Sequence, residues 1–306
     1  MQFHSLSPQL RQRLGDAGLV AGDVEDLVRR ALDEDLGDGV DVTSHACIAP
    51  MQRSVGTFVA RGRGRSAGID VVGAVVEVVC GAANSRFETV VRDGGAVEAG
   101  DVIARVEAST RELLAAERCA LNLLCHMSGI ATTTAVWVAV VSNTGVVIRD
   151  TRKTTPGLRA LEKYAVRCGG GENHRMSLSD GVLIKDNHIA AVGGVAEAYS
   201  LVRQHVRDQP IEIEVDSLEQ LRIAIASGAD VVLLDNMSAE LLKDAVRIGR
   251  QYEAATGVSI LFEASGGVTL STVRAVAESG VNFIAVGALT HSSRVLDIGL
   301  DFQTLE

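Results

Sequence analysis

Residues 211–236 read IEIEVDSLEQLRIAIASGADVVLLDN, and the alternation inside this stretch decides the fold. Ile211 to Val215 is a short apolar run interrupted by acids. Leu218 to Ser227 follows with helical spacing, opened by Ser217 and Gln220 at the interval of a capping box. Val231 to Leu234 is a second apolar run. Strand, helix, strand at this interval predicts a parallel α/β arrangement.

The alternation extends in both directions. Further strand-like runs are Val146–Ile148, Val182–Ile184, Ile260–Phe262 and Phe283–Val286. Helical stretches lie near Leu158–Val166, Val195–Val206, Ala239–Glu253 and Leu270–Ser279. Six such units make an incomplete barrel of the TIM type, short of the usual eight. An open doubly wound sheet is the alternative.

The part before residue 145 is less regular. Pro8 to Leu19 and Val24 to Leu36 read as helices, and Asp38, Gly39, Asp41, Thr43 and Ser44 as a loop. Val55 to Ala60 is strand-like and Ile69 to Val79 helical. Phe87–Val91 and Val102–Val106 read as strands joined by tight turns through Gly94 and Gly95. The stretch Ala96–Asp101 looks like the hairpin of lipoyl and biotinyl carrier domains. No lysine precedes Lys153, so a plain structural hairpin is the better reading. Ser109 and Glu112 mark the start of a helix running to Ser128-Gly129, with a second helical stretch from Ala131 to Val141.

A charged or glycine-rich group follows each strand-like run. Arg152 and Lys153 follow the first, and Lys185 the second. Glu214 sits near the end of the third, and Asp235 ends the fourth. Ser265-Gly266-Gly267 follows the fifth and Gly287 the sixth. Packing alone does not explain this agreement, although any one of these groups would pass as a solvated loop residue or a structural ion pair. In barrels the C-terminal ends of the strands carry the active site. Arginine and lysine suit carboxylates and phosphates. Acidic residues suit ribose hydroxyls or Mg²⁺, and glycines before a helix suit phosphate. Gly169-Gly170-Gly171 forms a second flexible loop, next to Asn173-His174-Arg175.

The chain has 306 residues, of which 47% are apolar, 22% charged and 3% aromatic, and its net charge is −10. The acidic balance argues against nucleic acid as a partner. No apolar run reaches the length of a membrane span, and no secretory signal is read at the N-terminus. Five scattered cysteines (Cys47, Cys80, Cys119, Cys125, Cys168) point to reduced thiols in the cytoplasm.

The ordered motifs resemble the quinolinate phosphoribosyltransferase family. They are Glu117–Asn122 with Ser128–Thr132, Arg149–Thr154, Gly169–Arg175, Ile184–His188, Glu212–Val215, Leu234–Asn236, Glu263–Gly267 and Val286–His291. The resemblance implies a magnesium-dependent pentosyltransferase of NAD biosynthesis. Such an enzyme joins quinolinate to phosphoribosyl pyrophosphate and releases CO₂ and pyrophosphate. It also implies an N-terminal α/β sandwich domain (1–120, joined by 290–306) beside an incomplete α/β barrel (121–289), in a homodimer. Carried over by position, Arg118 of the partner, Arg152, His174, Arg175 and Lys185 line the dicarboxylate pocket. Thr151 and Lys153 lie beside it, Lys153 also near the pyrophosphate. Glu214 and Asp235 hold the ribose, directly or through Mg²⁺. Ser265, Gly266, Gly267, Gly287, Ala288 and Leu289 surround the 5′-phosphate. Lys153, Lys185, Glu214 and Asp235 form the catalytic set. Departures from the family pattern are Ser177, the basic turn Arg61–Arg65, and Cys125-His126. The competing readings are a paralogue with another substrate and a non-catalytic sugar-phosphate sensor.

Overall fold

A computed structural model describes residues 3–37, 39–207 and 209–305. The chain opens with three helices, α1 (Pro8–Asp16), α2 (Ala21–Leu36) and α3 (Val42–Cys47). Strands β1 (Arg53–Ala60) and β2 (Gly64–Arg65), helix α4 (Ile69–Cys80), and strands β3 (Arg86–Thr89), β4 (Ala96–Val97) and β5 (Val102–Ser109) follow. Helix α5 (Thr110–Val140), strand β6 (Val147–Arg149) and helix α6 (Arg159–Cys168) come next. Then the α/β repeat runs through β7 (Val182–Ile184), α7 (Asp186–Val192), α8 (Val195–His205), β8 (Ile211–Val215) and α9 (Leu218–Ala226). It continues with β9 (Val231–Asp235), α10 (Ala239–Thr256), β10 (Leu261–Ser265), α11 (Val273–Ala277), β11 (Phe283–Ala285) and α12 (Ala288–His291), and β12 (Ile298–Thr304) ends the chain.

Two compact units result. One comprises Met1–Ala135, Ala160–Gly170 and Ser293–Glu306, the other Val136–Arg159 and Gly171–Ser292. A division at residue 120 would cut through α5, which is one continuous helix. In the first unit an antiparallel sheet has the order β12-β1-β5-β3. Strand β12 pairs with β1 from Ser54 to Ala60, which brings residues 298–304 back to this unit. Helix α4 packs on β3 and β5 and also meets α1 and α2. Its valines at 71, 72, 75, 76, 78 and 79 are all buried, as expected of a helix apolar on every side. Ser7 caps α1 by accepting from Leu10 N–H at 3.2 Å, with Pro8 in the first turn.

The second unit holds six parallel strands in the order β6-β11-β10-β9-β8-β7. Neighbours in sequence pair from β7 to β11, and β6 joins at the far side of β11, so β6 and β7 are the two free edges. Ser217 caps α9 by accepting from Gln220 N–H at 3.3 Å, while the Gln220 side chain accepts from Asp216 N–H at 3.1 Å. The box expected from Ser217 and Gln220 thus reaches one residue further back.

Several expectations are corrected. The stretch read as a loop contains α3, because Asp41 caps it through Ser44 N–H at 3.0 Å; Asp38 lies outside the described residues. Ser128-Gly129 does not end a helix, since α5 runs through it for 31 residues. The small residues there admit neighbouring chain instead. Ser128 Oγ accepts from Ala67 N–H at 3.0 Å, and a Cβ on Gly129 would collide with the Arg294 carbonyl. Helix α5 is also long and apolar enough to cross a membrane by length and composition. Leu124, Met127 and Ile130 along it are fully buried in the protein. Strand β4 pairs with β2 rather than with β5. The arginines of the basic turn are each engaged: Arg61 with Asp301, Arg63 with Glu98 at 3.2 Å, and Arg65 with the Gly94 carbonyl at 2.6 Å. His126 meets buried Glu162 at 2.9 Å, and the Ser177 hydroxyl meets that of Ser179 at 3.0 Å.

Candidate active site

The C-terminal ends of the six strands surround a cavity of about 680 Å³. Each strand ends where its apolar run stops, so the first polar residue beyond the core projects at this rim. Thr151, Arg152 and Lys153 enter from beyond β6, and Lys185 from beyond β7. Glu214 comes from β8, Asp235 from β9, and Ser265, Gly266 and Gly267 from β10 and its turn. His174 and Arg175 come from the segment between α6 and β7. An adjoining cavity of about 220 Å³ is shared by Thr151, Lys153 and Ser265–Gly267, and adds Gly287, Ala288 and His291. Leu289 is fully buried and lines neither cavity. Arg118 is exposed on α5, in the other unit.

Local bonds hold these groups in place. Thr151 Oγ1 accepts from Lys153 N–H at 3.0 Å, and Thr290 Oγ1 donates to the Lys153 carbonyl at 2.7 Å. Lys185 N–H donates to His188 Nδ1 at 2.9 Å, which gives the His188 of the Lys185–His188 motif a capping role for α7. Asn236 follows β9 with φ +54°, and its N–H donates to the Ser265 carbonyl at 2.8 Å. Gly266, at φ +91°, lies against Asn236 so closely that any Cβ would collide with it. Only glycine satisfies both the conformation and the approach.

The charges at this rim are unevenly matched. Lys185 Nζ pairs with Glu214 Oε2 at 2.7 Å, and Asn236 Nδ2 donates to Asp235 Oδ2 at 2.6 Å. Arg175 is different. Burial and the neighbouring Arg152 guanidinium both lower its proton affinity. Arg152 Nε is buried with no hydrogen-bond partner among the described residues. The Glu212 charge acts in the opposite direction on Arg175, whose Nη1 donates to the Gly181 carbonyl at 2.8 Å. Two guanidiniums lining one cavity suit an anion.

Below the rim His174 joins a buried polar cluster whose other members, Arg149, Glu212 and Glu263, were assigned no role in the sequence reading. His174 Nε2 meets Glu212 Oε2 at 2.9 Å and Glu263 Oε1 at 3.6 Å. Arg149 Nη1 donates to Glu263 Oε2 at 3.0 Å, and the same guanidinium lies over the Phe283 ring at 3.2 Å. Burial and the nearby charge of Glu212 push the Glu263 carboxyl up to about 7. Burial alone would lower the pKa of His174, but the hydrogen bond to Glu212 and the two carboxylate charges outweigh it and raise it. The ligand atoms of His174, Glu212 and Glu263 lie within 4.8 Å of one another, a grouping that suits a cation by type. Arg149 already supplies positive charge at Glu263. Alternation along Ile211–Val215 puts Glu212 on the same face as Glu214, and that was the signal available for it in the sequence.

The N-terminal domain of the quinolinate phosphoribosyl transferase family matches residues 41–128, and its C-terminal domain matches residues 130–301. The chain belongs to the quinolinate phosphoribosyltransferase family. It is 49% identical over 276 residues to the nicotinate-nucleotide pyrophosphorylase [carboxylating] of Mycobacterium leprae, covering 90% of this chain and 96% of that one. It is 42% identical to a probable nicotinate-nucleotide pyrophosphorylase [carboxylating] of Bacillus subtilis, over 88% of this chain and 89% of that one. Among solved structures it resembles the nicotinate-nucleotide pyrophosphorylase of Francisella tularensis, with a TM-score of 0.85 at 36% identity. That match covers 92% of this chain and 96% of the other. The family thus unites the six-stranded barrel and the antiparallel N-terminal sheet in one known architecture.

Proposed function

We propose that this chain is a quinolinate phosphoribosyltransferase, which converts quinolinate and phosphoribosyl pyrophosphate to nicotinate mononucleotide, CO₂ and pyrophosphate in NAD biosynthesis. The observation that carries this reading is the pair Arg152–Arg175, two cations lining one cavity at the mouth of a barrel that also offers acids and glycines. Arg152, Arg175, His174 and Lys185 are assigned to the two carboxylates of the substrate, with Thr151 beside them. Ser265, Gly266, Gly267, Gly287 and Ala288 are assigned to the 5′-phosphate, and Lys153, at the junction of the two cavities, to the pyrophosphate. Leu289 supports this turn from the core.

Glu214 and Asp235 are assigned to the ribose hydroxyls and to Mg²⁺. Both offer hard oxygen donors on adjacent strands, which fits this ion. When bound, Mg²⁺ would neutralise charge on the pyrophosphate. Lys185 would exchange Glu214 for a substrate carboxylate, which frees Glu214 for the sugar. The bond from the anomeric carbon to pyrophosphate breaks as the ring nitrogen forms its own bond to that carbon. Lys153 stabilises the departing oxygen, and the cationic pocket orients the nitrogen. The cationic ring then accepts the electron pair of the bond to the adjacent carboxylate. CO₂ leaves, and a proton fills the vacant position on carbon.

Quinolinate labelled in its carboxyl groups tests this assignment, with labelled nicotinate in parallel. CO₂ and nicotinate mononucleotide from quinolinate are the expected result; product from nicotinate alone would overturn the pocket. The active enzyme is further taken to be a cytoplasmic homodimer in which Arg118 of one subunit completes the pocket of the other. The exposed position of Arg118 and the unpaired, exposed Cys47 thiol support this reading. Inactive Arg118→Ala mixed with inactive Lys153→Ala should recover about a quarter of wild-type activity, since half of randomly paired dimers keep one intact site. No recovery despite demonstrated subunit exchange would refute the shared site.

A further inference from the structure

The six-stranded sheet ends at β6, and Glu172, at the head of residues 172–175, pairs with that edge. Glu172 N–H donates to the Ile148 carbonyl at 2.9 Å, and Asp150 N–H donates to the Glu172 carbonyl at 3.2 Å. Arg149 and Glu172 form a parallel bridge. This segment is a rudimentary seventh strand, and it delivers both His174 and Arg175 to the cavity.

Three buried carboxylates converge on it. Asp150 accepts from His174 N–H at 2.9 Å and from Asn173 Nδ2 at 2.6 Å. Glu212 holds His174 Nε2, and Glu263 lies 3.6 Å from the same nitrogen. His174 Nδ1 accepts from Arg175 N–H at 2.7 Å, so both ring nitrogens are engaged and the next residue is aimed by the ring. Asp150 and Glu263 are 0% exposed and Glu212 7%; of the three only Glu263 borders the cavity, and each is placed to act on the neighbours it holds. Barrel interiors are ordinarily filled by branched apolar residues, and burying carboxylates is unfavourable unless each is well paired. Yet Glu212 Oε1 and Glu263 Oε1 lack hydrogen-bond partners among the described residues. Stability alone is poorly served by this arrangement, whereas a fixed direction for His174 and Arg175 is served by every contact in it.

We infer that Asp150, Glu212 and Glu263 are positioning residues that set selectivity for a vicinal dicarboxylate, by holding residues 172–175 so that Arg175 stands at a fixed spacing from Arg152. The inference rests on the assignment of the cavity to quinolinate. Two carboxylates on adjacent ring carbons demand that spacing, while the phosphoribosyl half of the site does not depend on it.

Phthalate, a vicinal dicarboxylate without the ring nitrogen, and phosphoribosyl pyrophosphate would be titrated separately into the full-length protein and its variants. Glu212→Leu is expected to weaken phthalate about tenfold and phosphoribosyl pyrophosphate less than about twofold. Glu212→Gln keeps an acceptor for His174 and should recover affinity to within about threefold of wild type. Asp150→Asn acts at the other end of the segment and should reproduce the selective loss, which decides the matter should the leucine variant not fold. Unchanged phthalate affinity in these variants, or equal loss of both ligands, would overturn the positioning role alone. A wild-type protein that does not bind phthalate would overturn the cavity assignment, and the inference with it.

Discussion

Arginines of the N-terminal unit and the two arginines at the barrel mouth are held in different ways. In the N-terminal unit Glu25 takes both Arg11 and Arg29, Arg13 meets Asp70 at 2.8 Å, and Arg61 meets Asp301. These cations are answered by acids of the same unit. At the mouth of the barrel, Arg152 and Arg175 line one cavity, and Arg152 Nε is buried without a hydrogen-bond partner among the described residues. The difference teaches where a ligand belongs. A fold answers its own charges where it can, and a cation pair left unanswered marks a place where the substrate supplies the counter-charge.

The largest effect that would sharpen this contrast is expected at Lys153. Its backbone is fixed on both sides, and its side chain reaches the turn at Gly287. Lys153→Ala should lower CO₂ release by roughly 100- to 1000-fold, the usual consequence of losing one group aimed at developing charge. A fall of less than about tenfold in the folded variant would remove Lys153 from the catalytic set.

A second effect concerns pH. Glu263 in the folded protein titrates at about 7, above its ordinary value of 4.5. Between these values the folded state holds a proton that the unfolded state has lost, so stability falls as pH rises through this window. Thermal unfolding from pH 5 to pH 8 should show this decline in the wild type and a flatter curve in Glu263→Gln. Equal slopes would show that Glu263 does not hold the proton.

A smaller effect is expected in the N-terminal unit. Asp93 accepts from Gly68 and Ile69 N–H at 3.0 and 3.1 Å, at the start of α4, and from the Tyr164 hydroxyl at 2.6 Å. Asp93→Ala removes this cap and should cost about 1–2 kcal/mol of stability in denaturant unfolding. Turnover should stay unchanged, because this carboxylate serves packing and not the site.

The sequence made the barrel legible because each strand there is a short apolar run ended by a polar group. The ring of Arg152, Lys153, Lys185, Glu214 and Asp235 could be read for the same reason. The fate of Ser128-Gly129 could not. Small residues look like a break until the chain that packs against them, at Ala67 and Arg294, is known. Residues 172–175 carry no strand signature, since Asn173 and His174 take their place through hydrogen bonds to Asp150 and Glu212, beside Glu263. Those three acids look like ordinary polar residues until tertiary structure turns them inward. The role proposed for Arg118 has no signal in local pattern at all.

Quinolinate titration into the wild type, Arg152→Ala and Arg61→Ala tests the central contrast most directly. Arg152→Ala should lose about 1.5–3 kcal/mol of binding, as expected for a charge-assisted contact. Arg61→Ala, an exposed and already paired arginine, should bind as the wild type does. Full affinity in Arg152→Ala, or an equal loss in both variants, would contradict the account.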